Sequence, residues 1–371
     1  MMKIIPTEEE VRLLKCFSGD YWNQRARKYR MNGTEVVSAS VTESGVVADI
    51  SLNGETTLDE LKKQIPRIRI ILDVLDSDLL DVVSGGRGTR AQIAVRTRRI
   101  TDTMDMLWHP GITSLGVDTI TGEEIDVPWD QRILFSGSSG SGKSRSTRPV
   151  MARAVVDPQH MVSAFVDGKG EDATEWRGVV PVAVDDDEII DAIELEYAEM
   201  IRRKKIMSRE GIGSWDLSLG PRRLFVVDEG QVVLAIVKAE DKRRGRVQDD
   251  DEEFDPDDDD VPVEQKLIRL SSQARTREQI MIWSTQYAIT GGPAPGITNL
   301  IRANFDYSFC LRVNSRKNTE VALGEDCGVF PHKLPRETWV RGHGYLNTHN
   351  ENLIRTWNVP KESIRSLADF R

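Results

Sequence analysis

Gly137-Ser138-Ser139-Gly140-Ser141-Gly142-Lys143-Ser144 follows the apolar run Ile133-Leu134-Phe135. The octet satisfies G-x-x-x-x-G-K-[ST] at every fixed position, and the run before it reads as a buried strand that feeds a helix. Glycines let the backbone curl until its N–H groups point into a space the size of a phosphate, and the helix behind adds the positive end of its dipole. Lys143 is then placed for the β- and γ-phosphates and the Ser144 hydroxyl for Mg²⁺. A Gly/Ser linker would carry the same small residues without a strand in front or a Lys-Ser pair behind. The stretch therefore predicts a nucleoside-triphosphate site with ATP and Mg²⁺ as cofactors, cradled by all eight residues.

A second motif lies downstream. Pro221-Arg222-Arg223 leads into Leu224-Phe225-Val226-Val227, which ends in Asp228-Glu229. A wholly apolar run suits a parallel strand buried on both faces, and carboxylates at its C-terminal end face the ligand crevice of such a sheet. Asp228 is expected to serve Mg²⁺, and Glu229 to act as general base on the attacking water. An Asp-Glu pair that merely caps a helix is the plainer alternative; the phosphate loop upstream favours the hydrolytic one.

The 371 residues, 39% of them hydrophobic, suffice for one α/β core and a smaller domain. No run approaches the roughly 18 apolar residues of a membrane span, and the first ten residues lack a signal-peptide core, so a cytoplasmic chain without an integral membrane segment is expected. Cys16, Cys310 and Cys327 are odd in number and widely spaced, which suits reduced thiols better than zinc or disulfides. The net charge of −10 is local: residues 249–260 hold ten acidic side chains and no basic one. Such a block repels itself and forms no core, so a disordered excursion over about 240–262 is expected, either a solvated loop or a mimic of DNA charge.

Residues 1–110 read as a small α+β unit, with strands at 36–39, 46–52 and 91–96 and a helix over 57–64 capped by Thr56 or Thr57. A hairpin over 111–123 leads into a motor at 111–355. There strands near Ile133, Ala164, Leu224, Ile280 and Phe309 alternate with helices, and 356–371 is left as a tail.

In order along the chain, further stretches resemble the FtsK/SpoIIIE family of DNA translocases, within the HerA-FtsK group of ring ATPases. They are Leu115-Gly116-Val117-Asp118, Phe165-Val166-Asp167-Gly168-Lys169-Gly170, Glu199-Met200-Ile201-Arg202-Arg203, Ser284-Thr285-Gln286, Ile301-Arg302-Ala303-Asn304 and Leu311-Arg312-Val313-Asn314-Ser315-Arg316. Gly168 stands where the family has proline. The resemblance implies an α/β, RecA-like P-loop core with a mainly parallel sheet, preceded by the small α+β domain. It also implies an ATPase that moves double-stranded DNA through a homo-hexamer, stripped to its motor as in a plasmid, an integrative element or a phage. The protein-export branch of the same fold (type VII secretion) and a nucleotide-controlled adaptor are the competing readings.

The resemblance also assigns roles. Gln286 is expected at the γ-phosphate or the lytic water. Arg275 is the first choice for an arginine finger offered to a neighbouring subunit, with Arg302 and Arg312 as alternatives. Arg316 and Lys317, in a pore loop over 314–319, are expected to grip DNA phosphates, although Glu320 occupies a place where the family often has a base. The basic run Arg202-Arg203-Lys204-Lys205 is a weaker DNA candidate.

Overall fold

The structure, a computed structural model, describes residues 4–74, 79–98, 100–246, 261–291, 295–349 and 352–370. At the N-terminal end, α1 (Glu8–Cys16) and α2 (Gly19–Lys28) precede β1 (Thr34–Thr42) and β2 (Gly45–Leu52). Helices α3 (Leu58–Lys63) and α4 (Ile65–Leu72) and strands β3 (Leu79–Ser84) and β4 (Arg90–Arg96) follow. The strands form an antiparallel sheet in the order β1-β2-β4-β3. Along β2, Val46, Ala48, Ile50 and Leu52 are buried at a spacing of two, as expected of a sheet covered on one face. They share a core with Leu13, Trp22, Leu61 and Ile68 of the helices. Thr57 is the cap of α3: its hydroxyl accepts from the Glu60 amide, and the Glu60 carboxylate accepts from the Thr57 amide. The Thr56 hydroxyl instead donates to the Asn32 carbonyl at 2.6 Å.

Helix α5 (Ile100–Thr103) leads to the second sheet. Its elements are β5 (Gly116–Asp118), β6 (Glu124–Ile125), β7 (Ile133–Ser136), α6 (Lys143–Val156), β8 (His160–Asp167), β9 (Val182–Ala183), α7 (Asp186–Glu210) and β10 (Arg222–Asp228). Then come α8 (Gly230–Arg243), α9 (Val263–Gln273), β11 (Gln279–Thr285), α10 (Asn299–Arg302), β12 (Tyr307–Leu311), α11 (Arg316–Leu323), β13 (His343–Leu346), β14 (Ile354–Thr356) and α12 (Lys361–Ile364). Ten described strands pair in the order β6-β5-β14-β13-β12-β7-β11-β10-β8-β9. From β12 to β9 the neighbours are parallel; from β12 outward through β13, β14, β5 and β6 they are antiparallel. The five strands expected near Ile133, Ala164, Leu224, Ile280 and Phe309 are β7, β8, β10, β11 and β12, and the expected hairpin is the β5–β6 pair.

Helices cover both faces of the parallel part, which is why its strands are continuous apolar runs. One face packs Val150, Met151 and Ala154 of α6 against Phe135, Val162 and Phe309, and the other sets α7, α8 and α9 over Leu134, Phe225 and Trp283. Trp357, Val359, Ile364 and Leu367, from the segment read as a tail, are buried in the α6 face. The ends of the expected acidic excursion are structured: Glu240 accepts from Arg243 and Arg244, and the Asp241 carboxylate accepts from the amides of Val263 and Glu264 at 2.7 and 3.0 Å. The acidic residues 249–260 themselves lie outside the described residues.

Candidate nucleotide site

Residues 137–144 leave the carboxyl end of β7 and enter α6 at Lys143. Gly140 and Gly142 take φ of 75° and 96°, a region that strains any residue with a side chain. At Gly142 space forbids one as well, since a Cβ would stand 2.4 Å from the Gly342 nitrogen, whose N–H donates to the Ser141 carbonyl at 2.9 Å. On the other side, the Ser138 amide and hydroxyl both donate to the Arg312 carbonyl, at 2.8 and 2.9 Å. Held from both sides, the loop leaves the amides of Ser139, Gly140, Gly142, Lys143 and Ser144 without partners among the described residues. Unpaired amides on a curled loop at a helix N-terminus form a receptor for an anion.

The strand ends beside this loop carry its charged groups. The Lys143 ammonium bonds the Asp228 carboxylate, donates to the Ser284 hydroxyl at 3.1 Å and lies 3.5 Å from Glu229 Oε1. Burial pushes the Asp228 carboxyl up, but the Lys143 charge and the hydrogen bonds from Lys143 and Ser284 outweigh it and hold the group below the ordinary value. Burial likewise pulls the Lys143 ammonium down, and the Asp228 and Glu229 carboxylates more than offset this, leaving it raised. Both groups therefore stay charged, each as the other's counter-ion. The Ser144 hydroxyl stands 3.2 Å from the second Asp228 oxygen. These hard oxygen donors, side by side next to the loop amides, fit Mg²⁺.

Glu229 caps α8 with φ 52° and ψ 52°, an uncommon backbone for glutamate that turns its side chain toward the loop. Its Oε1 accepts from Gln286 Nε2 at 2.8 Å and from the Lys169 ammonium at 3.2 Å. Lys169, in the stretch 165–170, is a site residue to which the sequence alone assigns no role. The turn that presents it is folded by Asp167, whose carboxylate accepts from the amides of Lys169, Asp172 and Ala173. Buried Arg148 of α6 adds a second cation, paired with Asp172 and Glu175. With Arg145, Arg341 and Lys361 these groups line a cavity of about 360 Å³ over the loop.

The remaining residues singled out lie elsewhere. Arg275 sits just before β11, at the amino edge of the sheet, pairing with Asp130 at 3.0 Å and standing 3.8 Å from Asp306. Arg302 is spent on the backbone: its guanidinium donates to the carbonyls of Val321, Phe305 and Ala322. Arg312 reaches its own phosphate loop, donating to Ser139 O at 3.0 Å. Arg316 and Lys317 stand in the first turn of α11 rather than in a loop, because Ser315 caps that helix by accepting from the Asn318 amide. Arg316 is paired with Glu320 at 2.7 Å. In the basic run on α7, Arg203 is buried against the carbonyls of Arg277 and Pro221, and Arg202 pairs with Glu199.

No family model matches the chain. Protein Tra of Streptomyces lividans is 32% identical over 334 residues, 88% of this chain and 52% of that protein. The chain thus spans about half the length of this curated relative. Among solved structures, the conjugation coupling protein TcpA of pCW3, in its monomer form with ATPγS, superposes with a TM-score of 0.54 at 15% identity. That match covers 97% of this chain and 99% of the other. ATPases 2 and 3 of EssC from Geobacillus thermodenitrificans give a TM-score of 0.50 at 15% identity, over 71% of this chain and 50% of theirs. At such identities the likeness concerns the fold, and the expected α/β architecture with a small leading sheet is borne out. No helix among the described residues is long and apolar enough to cross a membrane.

Proposed function

We propose that this chain, an FtsK/SpoIIIE-type P-loop ATPase in fold and motif, hydrolyses ATP with Mg²⁺ and uses the energy to move double-stranded DNA through a homo-hexameric ring, in conjugative transfer. The observation that carries this reading is the convergence of Lys143, Ser144, Asp228, Glu229 and Gln286 on a loop whose amides are free to bind phosphate. In that arrangement Ser144 and Asp228 would hold the metal, which would neutralise phosphate charge. Lys143 moves from Asp228 to the terminal phosphates. Glu229 takes the proton of the attacking water, and Gln286, bonded to the same carboxylate, orients that water and senses its loss.

The remaining roles follow from position. The seven residues of β11, at roughly 3.3 Å each, put Arg275 about 20 Å from the carboxyl edge of its own sheet. An arginine so placed serves a neighbour's site or none. Arg316 and Lys317, on the first turn of α11, supply the DNA phosphate contacts. Conjugation is the setting because the superposing TcpA is a conjugation coupling protein and the sequence relative is a Tra protein. The test is the ATPase rate with duplex DNA, single-stranded DNA or peptide added. Stimulation by duplex DNA of any sequence, weakening with salt, is the expected result; stimulation by peptide alone would return the protein-export reading, and no stimulation by any would return the adaptor.

A further inference from the structure

Three donors converge on one oxygen of the carboxylate assigned as the base. Glu229 Oε1 accepts from Gln286 Nε2 at 2.8 Å, with the Lys169 ammonium at 3.2 Å and the Lys143 ammonium at 3.5 Å. Lys143 is committed elsewhere as well, to Asp228 and Ser284, and in the mechanism above it moves to the terminal phosphates. Lys169 has no ion pair but Glu229 among the described residues, and its side chain, 40% exposed, ends a flexible four-carbon stem. Arg145 and Arg341 are exposed on the same cavity, without hydrogen bond or ion pair among the described residues, but they do not touch Glu229.

The backbone beneath this mobile stem is fixed. Residues 167–170 form a turn closed by the Gly170 amide, which donates to the Asp167 carbonyl at 3.1 Å, and the buried Asp167 carboxylate accepts from the Lys169 amide at 2.9 Å. Asp167 lies beside Asp228 on the neighbouring strand. At Gly168 a Cβ would come within 2.7 Å of the Val232 side chain, so the turn rests directly on the first turn of α8, three residues past Glu229. A rigid turn seated on the helix that Glu229 caps, carrying a long and exposed cation, keeps that cation within reach of the base.

Charge decides what such a lysine is for. By themselves the two ammoniums, Lys143 and Lys169, balance the two carboxylates, Asp228 and Glu229. A bound triphosphate draws Lys143 to its own oxygens and brings further negative charge within a water's width of Glu229, because a base must reach the water that attacks the γ-phosphorus. Two anions facing each other across one water repel unless a cation stands between them. We infer that Lys169 is a second lysine of the γ-phosphate site, reaching from Glu229 to a γ-phosphate oxygen and holding the two anions together, a step that rests on the nucleotide reading above. Its ammonium has three donors, enough for Glu229 Oε1 and a phosphate oxygen at once. A diphosphate offers it no γ-oxygen, so Lys169 distinguishes ATP from ADP and, in the same contact, keeps the base turned toward the water.

Equilibrium binding of the Mg²⁺ complexes of ATPγS and ADP to the full chain, unaltered and as Lys169→Met, tests it. Methionine keeps much of the stem and loses the charge. ATPγS should bind about tenfold more weakly to Lys169→Met, the loss of one charge-assisted hydrogen bond, while ADP binds within about twofold of the unaltered chain. Equal weakening of both ligands, or of neither, overturns the inference and leaves the loop assignment standing. If the unaltered chain binds neither ligand, or Lys143→Ala binds ATPγS as well as it does, the loop assignment itself falls. Acetylation of the unaltered chain with an N-hydroxysuccinimide ester, read lysine by lysine by mass spectrometry, needs no variant to fold. Saturating Mg²⁺-ATPγS should slow modification of Lys169 about fivefold relative to saturating Mg²⁺-ADP, because a charge-assisted bond to phosphate occupies the nitrogen. Exposed Lys28 of the small domain is the reference. Equal rates at Lys169 with the two nucleotides overturn the inference.

Discussion

The two edges of the ten-stranded sheet are built from the same kinds of residue and treat them in opposite ways. At the amino edge, Arg222 is paired with Glu278, Arg223 with Glu196 and Arg275 with Asp130, while Arg203 is absorbed by two carbonyls. Every one of those charges is closed by a protein partner. At the carboxyl edge Glu229 is shared among Lys143, Lys169 and Gln286, and Lys143 among Asp228, Glu229 and Ser284. Five amides and two guanidiniums are left over there. The amino edge is thus finished as protein, whereas the carboxyl edge has donors in surplus and is completed by an anion.

The sharpest way to break this contrast is Lys143→Ala. It should abolish ATP turnover, and because it strands the buried Asp228 carboxylate it should also lower unfolding free energy by about 3–5 kcal/mol in urea titrations. The double variant Lys143→Met with Asp228→Asn should regain most of that stability and none of the activity. Retained turnover in Lys143→Ala would end the assignment of the loop. Next in size is Glu229→Gln, expected to bind ATP yet turn it over ~10²- to 10⁴-fold more slowly in single-turnover assays. A rate within threefold of the unaltered chain would mean that another group is the base.

Arg275 tests whether the amino edge would be closed in the proposed ring as it is in the single chain. Arg275→Ala should lose DNA-stimulated turnover, and mixing its subunits with Lys143→Ala subunits should restore part of it, through interfaces where one contributes the loop and the other the arginine. No recovery at any ratio, with assembly verified, would make Arg275 a purely local residue. The smallest effect concerns stability. Burial raises the Asp130 carboxyl, but the hydrogen bond and charge of Arg275 outweigh it, so the group titrates below its ordinary range. The pairing therefore stabilises above the ordinary carboxylate range and its contribution is lost as pH falls through the lowered value. Arg275→Ala should cost at most about 1 kcal/mol at pH 7 and less at pH 3. A constant difference across that window would assign the effect to packing instead.

What was legible in the sequence was what local pattern determines. The octet at 137–144, the apolar run ending in Asp228-Glu229 and the five central strands each announce themselves within a few residues, because a parallel strand buried on both faces must be continuously apolar. The antiparallel extension was less so: β13 and β14 are four and three residues long and exist by pairing with β12 and β5, distant in sequence. The segment 356–371 looked like a tail for the same reason, since Trp357, Ile364 and Leu367 show their purpose only against α6. Lys169 escaped because its partner Glu229 follows a different strand, at the cap of α8. Ser315 is a readable signal: a serine three residues before an amide it can cap announces a helix at Arg316, not a loop.

The grip on Ser138 has a mechanical consequence. The Arg312 carbonyl takes both donors of Ser138, its guanidinium returns to Ser139 O, and only Val313, Asn314 and Ser315 separate this knot from α11. Val313 is buried and Ser315 is fixed as a cap, so the tether has little slack. The phosphate loop and α11 are thus coupled in series, like a crank and its short arm. Force on α11 is delivered to the loop rather than taken up by bending in between, and a shift of the loop drives α11 through the same three residues.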